Sequence, residues 1–176
     1  MVPQAMTAEA QARNERKKRK EAKMQVRRAQ LALSRQDHGG PQAWRGWFDG
    51  SAHPNPGKLG IGALLLGPHG ERIEVSQAAG HGSSSDAEYA ALIAVLQAAQ
   101  AVRPPPGQLL LFGDSQVVIN DVLGTTPVGA KGLEMHRATV VALLQQFNDV
   151  SLRWLPRHRN GEADRLSQLA IASFTP

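Results

Sequence analysis

The sequence predicts an α/β fold: a mixed five-stranded sheet, with three antiparallel strands followed by parallel strands, flanked by helices. Two observations lead to this prediction. Short apolar segments separated by turn-forming residues come first in the chain, which is typical of antiparallel hairpins. Strand-like and helix-like segments then alternate, which is typical of parallel strands joined by helices. The 176 residues are enough for one ordinary domain with its own apolar core and leave roughly forty over, so we expect one folded domain plus an arm.

Three strands are predicted in the first half of the domain. The segment Ala43–Phe48 is rich in aromatic residues, Leu59–Leu66 is apolar, and Arg72–Gln77 alternates between apolar and polar residues. The turn-forming sequences Asn55–Gly57 and Pro68–Gly70 separate them. Their short spacing predicts that consecutive strands pair as hairpins.

The second half combines apolar residues at helical spacing with two short apolar runs. The proline-rich sequence Pro104–Gly107 ends the first helix, because proline cannot continue a helical hydrogen-bond ladder. The predicted helices are Asp86–Val102, Ser115–Leu123, Leu133–Phe147 and Gly161–Ser173, and the predicted strands are Leu109–Phe112 and Val150–Leu155.

Charge is distributed unevenly along the chain. Residues 1–40 contain ten Lys or Arg against four Asp or Glu, whereas residues 41–176 contain ten against eleven. The first segment is therefore predicted to be a basic arm, helical or disordered, that ends in a Gly-Gly linker, with the domain at 41–176. Its densest run is suited to neutralising nucleic-acid phosphates, although a merely solubilising tail explains it equally well. That run includes Arg16, Lys17, Lys18, Arg19 and Lys20.

Composition excludes several classes of protein. The chain has no cysteine, so neither a disulfide framework nor a thiolate metal site is available. No stretch approaches the roughly 18 to 20 consecutive apolar residues of a membrane span, and the N-terminus lacks the apolar run of a secretory signal. We therefore expect a cytoplasmic protein, monomeric and without a membrane partner.

Four acidic residues lie near the predicted ends of strands and helices: Asp49, Glu88, Asp114 and Asp164. Because element ends converge at the edge of a sheet, these side chains could share one cleft. Carboxylate oxygens are the ligands that Mg²⁺ prefers, and a bound ion keeps positions for phosphate oxygens. The sequence therefore predicts a metal site.

Each acid alone also has a purely structural interpretation. Glu88 closes the capping-box pattern that begins at Ser85. Asp114 could be a helix N-cap, Asp164 could complement a helix dipole, and Asp49 could form a turn with Gly50. The joint occurrence of all four at element ends favours the metal site.

Motifs around these acids resemble those of the ribonuclease H family, in the family's order and spacing. They are Phe48–Gly57, Ala87–Leu92, Gly113–Gln116, Trp154–His158 and Asn160–Leu166. The resemblance covers about three quarters of the chain and leaves out the arm and the linker. It implies a ribonuclease H-like fold and endonucleolytic cleavage of the RNA strand of RNA–DNA hybrids.

The resemblance further implies two Mg²⁺ ions per site, with Mn²⁺ as a possible substitute, and products with 5′-phosphate and 3′-hydroxyl ends. Asp49 would bridge both ions, Glu88, Asp114 and Asp164 would complete their ligands, and His158 would move a proton or assist product release. A surface histidine remains the alternative for His158. Family positions for substrate contact match Ser51, Asn55, Ser83, Ser84, Ser85 and Gln116.

Two departures from the family pattern concern substrate binding. Ser84 and Ser85 stand where many members have asparagines, and Ser83 could bind a DNA phosphate. Helix capping is an alternative role for all three serines. The segment Gly124–Gly132, with Lys131 as its only cation, lacks the basic protrusion of some bacterial members. The basic arm could supply that grip instead. Three rival functions remain: a non-catalytic nucleic-acid-binding module on the same fold, a different nuclease or transferase of the wider superfamily, and a non-enzymatic RNA-associated scaffold that works through the arm.

Overall fold

The computed structural model describes residues 39–125 and 131–173. The predicted arm, including its run Arg16–Lys20, lies outside the described residues, as do residues 126–130 of the segment predicted to lack a basic protrusion. The arm, its boundary and the missing protrusion therefore stay predictions. None of the described helices is long and apolar enough to cross a membrane.

The described residues form one mixed five-stranded sheet with the spatial order β3-β2-β1-β4-β5. β1 pairs antiparallel with β2 and β2 with β3, whereas β4 runs parallel to both β1 and β5. This arrangement confirms the predicted fold class. Tight turns reverse the chain between the first three strands, whereas helices connect the parallel strands. The strands are β1 (Trp44–His53), β2 (Gly57–Leu66), β3 (Arg72–Gly82), β4 (Leu109–Gly113) and β5 (Val150–Trp154).

Four helices follow in the predicted order, together with one short 3₁₀ turn before the last helix. They are α1 (Ser84–Ala101), α2 (Gln116–Val122), α3 (Glu134–Leu144), the 3₁₀ turn (Arg157–Arg159) and α4 (Gly161–Ala172).

The predicted limits of β1 and β3 were wrong. β1 continues beyond Phe48 to His53, and β3 continues to Gly82. The apolar residues used for the prediction end before the strands do. Each strand continues through its polar end because backbone pairing with β2 holds that end in place. In that register His53 pairs with Lys58 and Gly57 with Gly82.

The core lies between the sheet and helices α1, α2 and α3. α1 contributes more buried side chains to this core than any other element, including the fully buried Tyr89, Leu92 and Leu96. The prediction of an apolar α1 face is thereby confirmed, although small alanines make that face less visible in the sequence. The largest fully buried apolar side chains of the other elements are Phe48, Leu65, Leu109, Leu111, Val118 and Val140.

Candidate metal-binding active site

Asp49 lies in the middle of β1 and pairs with Gly62 of β2, so its predicted place at a strand end was wrong. It is only 4% exposed. Burial raises the pKa of this carboxyl from 3.8 to about 6, and the negative charges of Asp114 and Asp164 act in the same direction. The hydrogen bond that the Ser167 hydroxyl donates to Asp49 opposes this rise in the pKa. A strand interior tolerates such a residue only where other groups compensate for its burial.

Glycines allow two helices to approach the sheet backbone next to Asp49. A Cβ atom on Gly50 would lie 2.1 Å from the carbonyl carbon of Ala87 in α1. A Cβ atom on Gly62 would lie 2.2 Å from the carbonyl oxygen of Ala163 in α4. Larger residues at these positions would separate the helices from β1 and β2. Close packing therefore carries the acids of α1 and α4 towards Asp49.

The capping interpretation of Glu88 was wrong, because a different pair caps α1. The Ser83 hydroxyl accepts a hydrogen bond from the Asp86 amide, and the Asp86 carboxylate accepts one from the Ser83 amide at 2.8 Å. Glu88 lies beyond this box, in the second turn instead of the predicted first turn. Its side chain is thus not needed at the helix end.

Glu88 is almost completely buried, at 9% exposed, and one of its oxygens is unsatisfied. The carboxylate accepts a backbone hydrogen bond from Gly50, but Oε2 has no partner among the described residues. Burial, followed by the charges of Asp49 and Asp114, raises the Glu88 pKa well above its ordinary value of 4.5. A buried acceptor left in this state is costly unless a cation or a proton satisfies it.

Asp114 directly follows β4 and is not the N-cap of α2. The cap is Ser115, whose hydroxyl accepts from the Val118 amide, so the alternative role of Asp114 was wrong. The Trp154 indole donates to the Asp114 backbone carbonyl at 3.0 Å. Burial raises the pKa of Asp114, while the positive charge of Arg157 lowers it.

Three of the four predicted ligands converge. Carboxylate oxygens of Asp49, Glu88 and Asp114 all lie within 4.8 Å of one another, which suits one hard cation with oxygen ligands. The fourth acid, Asp164, lies in the first turn of α4, outside that group. Its Oδ1 accepts a hydrogen bond from the Arg157 guanidinium at 2.9 Å. The unsatisfied Oε2 of Glu88 fits a metal site independently of these distances.

The positive charge of Arg157 acts on all three converging carboxylates. It opposes the rise in the pKa of Asp49, Glu88 and Asp114. The Arg157 side chain is 75% exposed at the 3₁₀ turn. The neighbouring His158 is also exposed, and its predicted catalytic role stays a prediction.

Five of the six predicted substrate-binding residues lie in the turn after β1 or at the starts of α1 and α2, and the sixth, Ser51, lies in β1. Asn55, in the turn after β1, accepts a hydrogen bond from the Ser84 amide at 3.0 Å and donates to the Ser84 hydroxyl at 3.2 Å. These bonds connect the first turn of the sheet to the start of α1. Ser83 is the N-cap of that helix, as its alternative interpretation held. Ser85 is partly exposed in the first turn of α1, and Gln116 is exposed at the first position of α2.

Two buried polar residues of the site were not singled out from the sequence. Asn160 donates from its amide to the Phe48 carbonyl at 2.9 Å and also hydrogen bonds to Asp114. Ser167 is fully buried and donates its hydroxyl to Asp49, while Ser51 donates to Ser167 at 3.2 Å. Ser167 lies one helical turn beyond Asp164, so the helical spacing is the signal that could have revealed it.

The sheet order and the carboxylate cluster define the class of protein: a ribonuclease H-like α/β fold with a site suited to a divalent metal. Known proteins agree with this class. The family described as reverse transcriptase-like matches residues 47–170. A ribonuclease HI of the archaeon Halobacterium salinarum is 34% identical over 126 residues, which cover 71% of this chain and 62% of that protein. The chain belongs to the ribonuclease H-like family.

Solved structures of RNase H1 proteins also align with this chain. The structure of an RNase H1 from Halobacterium salinarum aligns with a TM-score of 0.69 and 32% identity, covering 74% of this chain and 98% of the other. The structure of LC11-RNase H1 in complex with an RNA/DNA hybrid aligns with a TM-score of 0.67 and 25% identity, covering 74% and 97%. The region that matches the family, residues 47–170, includes Asp49, Glu88, Asp114 and Asp164.

Proposed function

We propose that this protein cleaves the RNA strand of RNA–DNA hybrids endonucleolytically, as a ribonuclease H. The observation that carries the proposal is the convergence of Asp49, Glu88 and Asp114, together with the unsatisfied Oε2 of Glu88. Buried carboxylates that repel one another are costly without a cation, so their presence in one cleft favours a functional role. The relative named ribonuclease HI and the neighbour solved with an RNA/DNA hybrid support this substrate.

Two Mg²⁺ ions are proposed as the cofactor, with Mn²⁺ as a possible substitute. Asp49 would contact both ions, Glu88 and Asp114 would complete the buried side of the site, and Asp164 would hold its open side. When bound, the ions supply an activated water and stabilise the leaving 3′ oxygen, which gives 5′-phosphate and 3′-hydroxyl products.

The chain's own groups would bind the substrate around this centre. The Asn55–Ser84 pair presents amide and hydroxyl groups beside the start of α1, where 2′-hydroxyls of the RNA strand could be contacted. Gln116 would contribute a further polar contact from α2. Arg157, already attached to Asp164, places an exposed positive charge at the site, where it can contact a backbone phosphate.

His158 is proposed to accept or donate a proton near the leaving group, since an imidazole can act as either an acid or a base. The basic arm is proposed to increase affinity for nucleic acid, because the domain itself is nearly neutral. A monomeric, cytoplasmic protein completes the proposal.

The test is cleavage of an end-labelled RNA–DNA hybrid beside single-stranded RNA, duplex RNA and duplex DNA. Reactions contain Mg²⁺, Mn²⁺ or EDTA, and Asp49→Asn serves as the inactive control. Metal-dependent cutting of the RNA strand by the parent but not by the variant is expected. If the parent binds the hybrid and cuts none of these substrates with either metal, the proposal fails and a non-catalytic binding module on this fold becomes the better reading.

A further inference from the structure

We propose that Ser167 is a positioning residue that orients the Asp49 carboxylate for metal binding through its hydroxyl. The inference rests on the proposed function and adds to the site a residue outside the family motifs described above. Ser167 lies in α4, one helical turn beyond Asp164, and its side chain is completely buried.

The hydrogen bonds around Ser167 fix the direction in which its hydroxyl donates. Its Oγ lies 2.5 Å from Asp49 Oδ2 and 2.9 Å from the Asp164 carbonyl oxygen, but a hydroxyl has only one proton. The carboxylate is the stronger acceptor, so the proton points to Asp49. Ser51, two residues beyond Asp49 on β1, donates to Ser167 at 3.2 Å, which occupies an acceptor site of Ser167 and leaves its proton for Asp49.

The fold builds this contact through glycines of β2. Gly62 pairs with Asp49, and Gly60 pairs with Ser51. A Cβ atom on Gly62 would lie 2.4 Å from the backbone nitrogen of Ser167, and one on Gly60 would lie 2.4 Å from the backbone carbonyl oxygen of Ser167. The backbone of α4 therefore rests directly on β2, at the height of the two β1 residues that Ser167 contacts.

Such a contact has a specific use in this site. Glu88 and Asp114 repel Asp49, so without an attachment its carboxylate would rotate away from them. The hydroxyl of Ser167 holds Oδ2 in place and thereby fixes the orientation of the Asp49 carboxylate. Groups that orient a ligand in this way usually change metal affinity about 10- to 100-fold when they are removed.

The experiment compares Ser167→Ala with a matched control, Ser76→Ala, in the full-length chain. Ser76 of β3 also donates a hydroxyl hydrogen bond to α4, to the Leu166 carbonyl at 2.7 Å, but does not contact a carboxylate of the site. Mg²⁺ affinity is measured by calorimetry without nucleic acid, and kcat and KM are measured on the hybrid. Ser167→Cys, which retains a weak donor of similar size, provides a graded third variant.

Ser167→Ala should raise the Kd for Mg²⁺ about 10- to 100-fold and lower kcat at limiting metal, with little change in KM for the hybrid. Ser167→Cys should fall between this variant and the parent, and Ser76→Ala should match the parent. The inference is overturned if Ser167→Ala binds Mg²⁺ as the parent does, or if Ser76→Ala weakens binding equally. A parent that neither binds Mg²⁺ nor cuts the hybrid refutes the proposed function, and this inference with it.

Discussion

Removing the charge of Asp49 should stabilise the metal-free protein while abolishing cleavage. Asp49→Asn keeps the size of the side chain and an oxygen that can accept the Ser167 hydroxyl, but it carries no negative charge into the cluster with Glu88 and Asp114. Sites that bind ligands commonly hold such unfavourable charges at the expense of stability.

The magnitude and its sign follow from the raised pKa of Asp49. Between pH 3.8 and about 6 the folded protein binds more protons at Asp49 than the unfolded chain does, so the free energy of unfolding falls as pH rises through this window. The difference corresponds to roughly 3 kcal/mol at pH 8, at about 1.4 kcal/mol per pH unit. We expect Asp49→Asn to recover about 1 to 3 kcal/mol at pH 8 and almost nothing below pH 4.

The assay is urea denaturation in EDTA at pH 4 and pH 8. EDTA is needed because a metal that binds only the folded parent would stabilise it and mask the effect. Asp86→Asn is the matched control, and its effect on stability should have the opposite sign. Hydrogen bonds from Ser83 lower the pKa of Asp86, whose carboxylate takes part in the capping box of α1. That variant should be less stable than the parent at pH 8.

An Asp49→Asn protein that is no more stable than the parent at pH 8 would refute this reasoning. A gain of equal size at both pH values would refute it as well, because the effect would then come from packing and not from charge.

Four further predictions concern other parts of the chain. Asp114→Asn should change the free energy of unfolding by less than about 1 kcal/mol while cleavage collapses, and near-normal turnover would contradict a metal role. Arg157→Gln should lower stability in EDTA at pH 8 by less than about 1 kcal/mol, since the guanidinium is exposed, and should raise KM for the hybrid; unchanged KM would exclude a phosphate contact. Tyr89→Phe should cost about 1 to 3 kcal/mol in urea denaturation, because the buried Asp121, which also accepts from Arg137, loses the hydrogen bond that the Tyr89 hydroxyl donates; an unchanged midpoint would contradict this. Deleting residues 2–36 should raise KM and flatten its salt dependence, whereas identical values at low and high salt would refute the role of the arm.

Local patterns in the sequence were sufficient for the order and type of every described strand and α-helix, but they did not predict the 3₁₀ turn Arg157–Arg159. Turn residues such as Asn55–Gly57 and Pro104–Gly107 act within a few positions, and so do the apolar runs between them. The family motifs likewise predicted the carboxylate ligands, because a hard cation takes oxygen ligands and carboxylates supply both oxygen and negative charge.

Other properties depended on contacts between distant segments. The extension of β1 beyond Phe48 depends on pairing with β2, and the true cap of α1 could not be chosen among three consecutive serines without its geometry. The convergence of Asp49, Glu88 and Asp114 required the close approach that Gly50 permits. None of these distances is encoded in local spacing.

The sequence by itself therefore determined the elements, their order and the chemistry of the ligands, because these depend on residue type and on near neighbours. Only the tertiary structure decided how the acids differ. It buried Glu88 with an unsatisfied oxygen, paired Asp164 with Arg157, and placed Ser167 against Asp49 across 118 residues of sequence. The physical reason is that pKa and hydrogen bonding depend on burial and on neighbouring charge, which packing between helices and sheet creates.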